Sequence, residues 1–139
     1  MTQTIPELKF LDGNTIDQLG YGVWKVADAD AEVVVGKAID AGYRHIDTAR
    51  IYGNEAGVGR AVAASSVPRE ELFITTKVWN SDQGYEKTMA AADASLQRLG
   101  VEYVDLYLIH WPLPKRGTYV DTWKALIQLQ KDGKAKSIG

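Results

Sequence analysis

In the stretch HIDTARIYGNE, residues 45–55, an acid at Asp47 precedes a phenol at Tyr52, where an apolar run gives way to glycine and polar residues. Two later stretches have the same character: FITTKVW places Lys77 near the end of a β-branched run, and DLYLIHW places His110 at the end of another. Together these four residue types make a proton-delivery set. A phenol with the ordinary pKa near 10 is a poor acid at neutral pH, and an ammonium group beside it stabilises the phenolate and eases proton release. An aspartate keeps that ammonium charged and in place, while an imidazole hydrogen-bonds a carbonyl oxygen and turns it toward the phenol. Such a site protonates an oxygen on which negative charge is developing, as reduction of an aldehyde or ketone by hydride requires. Trp24, Trp79 and Trp111 each fall just past an apolar run, where flat side chains would wall a small-molecule pocket around the polar group.

These residues need a scaffold that brings separate segments to one place. LKFLDGNTIDQLG has two short apolar segments around Asp12-Gly13-Asn14, which predicts an N-terminal β-hairpin. A short strand ending near Gly22 follows. From Ala29 the period becomes helical through Ala31, Val34, Val35 and Ala38, with Gly42 as the stop. YRHID is a second strand. NEAGVGRAVAAS is a second helix, with Asn54 as its cap and Glu55 in its first turn. ELFITTKVW is a third strand, and YEKTMAAADASLQRLG a third helix with Met89, Ala92, Leu96 and Leu99 on one face. VDLYLIHW and YVDTWKALIQLQKDG give a fourth strand and helix, with Trp123 and Ile127 read as core, and AKSIG starts a fifth strand.

Strict alternation of strand and helix implies parallel strands joined by right-handed crossovers. Both an open doubly wound sheet and an (α/β) barrel satisfy it. In either, ligands gather at the C-terminal ends of the strands, where Asp47, Lys77 and His110 stand, with Tyr52 on the loop beyond. A barrel typically needs about 250 residues. If the fold is a barrel, the 139 residues hold one incomplete domain, a hairpin followed by four βα units and the start of a fifth strand.

Composition narrows the partners. A net charge of -2 gives no electrostatic reason to expect nucleic acid or an anionic membrane surface. The chain has no cysteine, which removes disulfides, thiolate metal sites and cysteine nucleophiles and suits a reducing cytoplasm. Pro6, Glu7 and Lys9 interrupt the start where a secretory signal needs a continuous apolar region, and no run approaches ~18 apolar residues. A cytoplasmic protein acting on small molecules is expected.

GYRHIDTARIYGNE, FITTKVW and DLYLIHWP closely resemble the motifs of the aldo-keto reductases, and the sequence looks most like their bacterial diketogluconate reductase branch. The resemblance spans nearly the whole chain and puts that family's catalytic tetrad at Asp47, Tyr52, Lys77 and His110. It implies a (β/α)8 TIM barrel of which this is the first half, a small-molecule carbonyl substrate, and NADPH bound without a separate nucleotide domain. It implies Tyr52 as general acid, assisted by Lys77 and His110, with Asp47 paired to Lys77. Gly22, Val23 and Trp24, together with Asp47, match the segment nearest the nicotinamide. The family's serine-asparagine pair for the carboxamide, its ring-stacking aromatic and its cations for the adenosine phosphate belong to later strands and loops outside these 139 residues. A full-length barrel is expected to be a monomer, whereas a half barrel exposes strand edges that invite self-association.

Other readings compete. His45 shares a strand face with Asp47, and is read as a structural histidine one layer below the rim. GVGRAV from Gly57 falls inside a helical pattern and not directly after a strand, so it is not a dinucleotide loop. Two distant histidines without cysteine give no metal site. Lys77 as a Schiff-base nucleophile would make an aldolase. A non-catalytic, cofactor-sensing member of the same fold is the remaining alternative.

Overall fold

The computed structural model describes residues 4–139; Met1–Gln3, where the N-terminal reading begins, lie outside the described residues. Strands β1 (Glu7–Lys9) and β2 (Thr15–Asp17) form the expected antiparallel hairpin, with Leu8 opposite Ile16. Its turn passes through Gly13 at φ +92°, a conformation that suits glycine, and the Asp12 carboxylate accepts the Asn14 N–H at 2.9 Å.

The rest alternates without exception: β3 (Gly20–Gly22), α1 (Asp28–Asp40), β4 (His45–Asp47), α2 (Glu55–Ala64), β5 (Phe73–Val78), α3 (Tyr85–Leu99), β6 (Val104–Ile109), α4 (Tyr119–Lys131) and β7 (Ala135–Ile138). The residues AKSI thus complete a fifth parallel strand, paired with β6. Sheet order follows chain order from β3 to β7, and each of these pairs is parallel. A doubly wound sheet reverses its order at a switch point; this sheet never does, which is the winding of a barrel. Among the described residues, no helix is long and apolar enough to cross a membrane.

Register sorts the strand residues into two faces. Ile46 pairs with Ile74 and Thr76 with Tyr107, and these buried side chains meet the helices. Asp47 pairs with Thr75 and Lys77 with Leu108, on the opposite, inner face. The hairpin crosses the N-terminal ends of the strands, where Glu7, Asn14 and Asp17 share a cleft with Arg44, Phe73 and Lys136. Asn14 Nδ2 donates to Ser137 Oγ at 2.9 Å and to the Lys136 carbonyl at 3.2 Å, tying the hairpin to β7.

Three details differ from the sequence expectation. Asn54 stands at the N-cap position of α2, yet its side chain makes no capping bond; it is buried and turned toward β3 and β4. Trp123 and Ile127 are 39% and 36% exposed instead of core, because α4 turns Thr122, Ala125, Leu126 and Leu129 to the sheet. Helical spacing finds a stripe but does not say which of two neighbouring stripes is covered. On α3 the fully buried row includes Thr88 and Ser95 with Ala92 and Leu99, while Met89 and Leu96 are only partly buried at its edge. GVGRAV lies wholly within α2.

Candidate active site

Each charged or aromatic group of the site is delivered by a strand end or the turn after it. Asp47 is the last residue of β4, and the next turn, a 3-10 segment Arg50–Tyr52, carries Tyr52 back over the sheet. Gly53 closes that turn at φ +69°. Lys77 is the penultimate residue of β5 and His110 directly follows β6. The four side chains expected from the sequence therefore converge on one rim.

Lys77 Nζ lies 2.9 and 2.8 Å from the two Asp47 carboxylate oxygens and donates to the Thr48 carbonyl at 2.9 Å. Its three ammonium protons thus have three acceptors. The same Nζ stands 5.1 Å from the centre of the Tyr52 ring, within cation–π range. Tyr52 meets His110 edge to face, with ring centres 5.8 Å apart and planes at 84°. Burial, followed by the nearby Lys77 ammonium, holds the His110 imidazole below its ordinary pKa, against a smaller upward pull from Asp47. His110 is accordingly neutral at pH 7 and offers a single N–H donor.

The tryptophans divide into two arrangements. Trp79 packs edge to face on His110 at 5.2 Å, and Trp111 lies nearly parallel to the same ring, 6.5 Å away. Trp24 stands apart: it is 68% exposed, with the Lys25 ammonium 4.5 Å over its ring. Gly22 is paired with Asp47, and the Val23 N–H donates to the Asp47 carbonyl at 3.1 Å, so the loop after β3 is sewn to the strand that bears the carboxylate.

His45 lies one step down the same inner face. Its Nε2 is 3.1 Å from Thr75 Oγ1 and its ring packs edge to face on Phe73, while its Nδ1 is buried without a hydrogen-bond partner among the described residues. Among the described residues there is no cluster of three or more ligating side chains that would hold a metal ion.

Three positioning residues escaped sequence reasoning. Asn54 Nδ2 donates to the carbonyls of Val23 and Val26, both at 2.9 Å, and its Oδ1 accepts the Thr48 hydroxyl at 2.7 Å. This clamps the loop of Trp24 to the strand end of Asp47. Gln83 donates to the Trp111 carbonyl and accepts from Thr118 Oγ1 at 2.7 Å, which fixes the backbone beyond His110. Glu55 accepts from Arg98 at 2.8 Å and from Thr76 Oγ1 at 2.8 Å beneath the site. Asn beside Glu after a Tyr-Gly turn was the available signal, and it reads equally well as a helix start.

Comparison with known proteins follows from this geometry. The profile of the Aldo/keto reductase family matches residues 17–139. An aldo-keto reductase of Mycolicibacterium smegmatis is 57% identical over 134 residues, covering 96% of this chain and 49% of that protein. The crystal structure of an aldo/keto reductase from Brucella melitensis superposes with a TM-score of 0.97 at 56% identity, over all of this chain and 53% of its own. A Bombyx mori aldo-keto reductase solved in complex with NADP is 37% identical with a TM-score of 0.90, over 99% of this chain and 50% of its own. The chain spans about half the length of these relatives, and its fold is the first half of a (β/α)8 barrel preceded by a hairpin. The chain belongs to the aldo/keto reductase family.

Proposed function

We propose that a barrel built on this chain reduces aldehydes or ketones to alcohols with hydride from NADPH, with Tyr52 as the general acid. The observation that carries this reading is the Lys77 ammonium, held by both oxygens of Asp47 and set against the Tyr52 ring beside a neutral His110. His110 donates its N–H to the substrate oxygen and orients it. As the carbonyl carbon takes up hydride, its oxygen gains negative charge, and the Tyr52 hydroxyl gives that oxygen its proton. The phenolate left behind is stabilised by the Lys77 cation and regains a proton from solvent. Each turnover consumes one hydride and one proton and leaves an alcohol.

Bound NADPH would supply the hydride, which no side chain here can give. Gly22, Val23, Trp24 and Asp47 are assigned to its nicotinamide end on the family resemblance, and a Cβ at Gly22 would meet nothing within 4 Å. The Bombyx mori neighbour was solved in complex with NADP, which supports a nicotinamide dinucleotide as the cofactor. Trp24, Trp79 and Trp111 would wall the small-molecule substrate; a cytoplasmic setting fits a chain without cysteine. The Schiff-base alternative is disfavoured, since Lys77 has an acceptor for each proton and a nucleophilic lysine must be free and neutral.

The test joins this chain to the second half of the Mycolicibacterium smegmatis relative and follows NADPH oxidation with a small aldehyde. Tyr52→Phe should lower turnover by about 10²-fold or more while NADPH affinity, read by fluorescence, stays within about twofold. Undiminished turnover in the Phe variant would exclude Tyr52 as the acid.

A further inference from the structure

Beside the rim, the turn of residues 50–52, the turn of residues 80–82 and the stretch of α3 from Lys87 to Arg98 border a trough whose lining includes none of Asp47, Tyr52, Lys77 and His110. Its free volume is about 820 Å³, within the range of small-molecule sites. Ile51 and Trp79 form one wall, and the adjacent Ala90 and Ala91, with Ala94 one turn further along α3, form a floor of small side chains. Ile51 is 46% exposed, an aliphatic side chain left facing water beside an indole.

The charges on the trough are unbalanced. Arg50 and Lys87 line it, and neither has an ion-pair or side-chain hydrogen-bond partner among the described residues. Arg98, at the far end, is committed to Glu55 at 2.8 Å. Asp82 is the single carboxylate on the lining, and it accepts from Ser81 Oγ at 3.3 Å. Two unpaired cations therefore share the lining with one carboxylate, Ser81 and the committed Arg98, and the remaining residues are apolar.

We propose that this trough is a binding site for an amphipathic carboxylate, an apolar chain with one anionic end. The chain would lie on Ile51, Trp79 and the alanine floor, and the carboxylate would be drawn to Arg50 and Lys87. A carboxylate between two cations forms charge-assisted hydrogen bonds, strongest where one partner is a guanidinium. The apolar part gains by covering surface that otherwise faces water. The trough also shares a wall with the candidate active site: the indole of Trp79 that lines it packs on His110 at 5.2 Å. An occupant would touch the far side of a side chain that borders the reacting group.

The experiment titrates the 139-residue chain, isotopically labelled, with decanoate, and with decanol and acetate as probes of each half of the ligand. Saturable shifts of the backbone amides of Ala90, Ala91 and Ala94 with decanoate, at least tenfold weaker with either partial probe, are expected. Arg50→Glu combined with Lys87→Glu should weaken decanoate binding at least tenfold, with the circular dichroism spectrum unchanged. Ala90→Trp, at an exposed floor position, should block the trough and abolish the shifts while leaving both cations in place. Equal binding of decanol, unchanged affinity in the charge-reversed variant, or shifts scattered away from these amides would each overturn the proposal. Because the readout is binding, Tyr52→Phe should bind decanoate normally, so failure of the reductase reading leaves this result independent.

Discussion

Two aromatic groups of β6 and its end, Tyr107 and His110, show how differently a half barrel treats similar residues. Tyr107, on the helix face of β6, is almost wholly enclosed, and burial, aided by Glu55 and Asp82, drives its phenol far above the ordinary value. It packs as a neutral phenol. His110, one strand-end away, is held below its ordinary value by partial burial and by Lys77. Replacing Lys77 with Met removes the cation while burial still holds the imidazole low against Asp47, so the His110 midpoint in a proton-NMR titration should rise toward the usual ~6.5 without passing it. An unmoved midpoint would mean that Lys77 does not act on the ring. At this scale the sequence was informative where a residue's type and its place at a strand end sufficed, as for Asp47, Tyr52, Lys77 and His110. It offered Asn54 only as a helix cap and was silent on Gln83; their partners Val23, Val26, Trp111 and Thr118 lie 28 or more residues away and become visible only when the strands are laid side by side.

Helices α1 and α2 cross closely because α2 carries glycine at the contacts. A Cβ on Gly57 would come within 2.5 Å of the Asp28 carbonyl, and one on Gly59 would run into the backbone of Leu99 at the end of α3. GVGRAV, which imitates a nucleotide-binding loop, is thus a packing motif. Gly36 on α1 is the contrasting case, with open space where a Cβ would stand. Gly59→Ala should destabilise the chain by roughly 1–3 kcal/mol through overpacking, and Gly36→Ala should stabilise it by about 0.5–1 kcal/mol through helix propensity. Thermal unfolding of the two variants checks the pair, and the same sign in both would refute the packing argument. Element order was legible from period changes and glycine stops. Helix orientation was not: Trp123 and Ile127 obey the helical repeat as well as Ala125 and Leu129 do, and only the sheet decides which row is covered.

For the molecule as a whole, both histidines favour the neutral state. His45 is held low chiefly by burial, with Lys77 adding to the effect and Asp47 and Asp17 opposing it. A depressed histidine pKa in the folded chain means that the unfolded chain takes up protons first as pH falls. The stabilisation is complete above the unfolded value of ~6.5 and is lost below it. Denaturant midpoints should therefore fall between pH 7.5 and pH 5, and His45→Gln should narrow that fall; an equal fall in the variant would acquit His45. Alternation alone left barrel and doubly wound sheet equal, and the choice became visible in the unbroken strand order, a property of pairing that no local pattern contains.

The bond from Asn14 to Ser137 joins residues 123 positions apart in sequence. Segments so distant meet only after the intervening chain has been gathered, since closing a long loop costs entropy before any contact compensates it. Asn14 is made early on a ribosome and must wait for Ser137 to emerge, so the hairpin acts as a clasp that can close only once β7 exists.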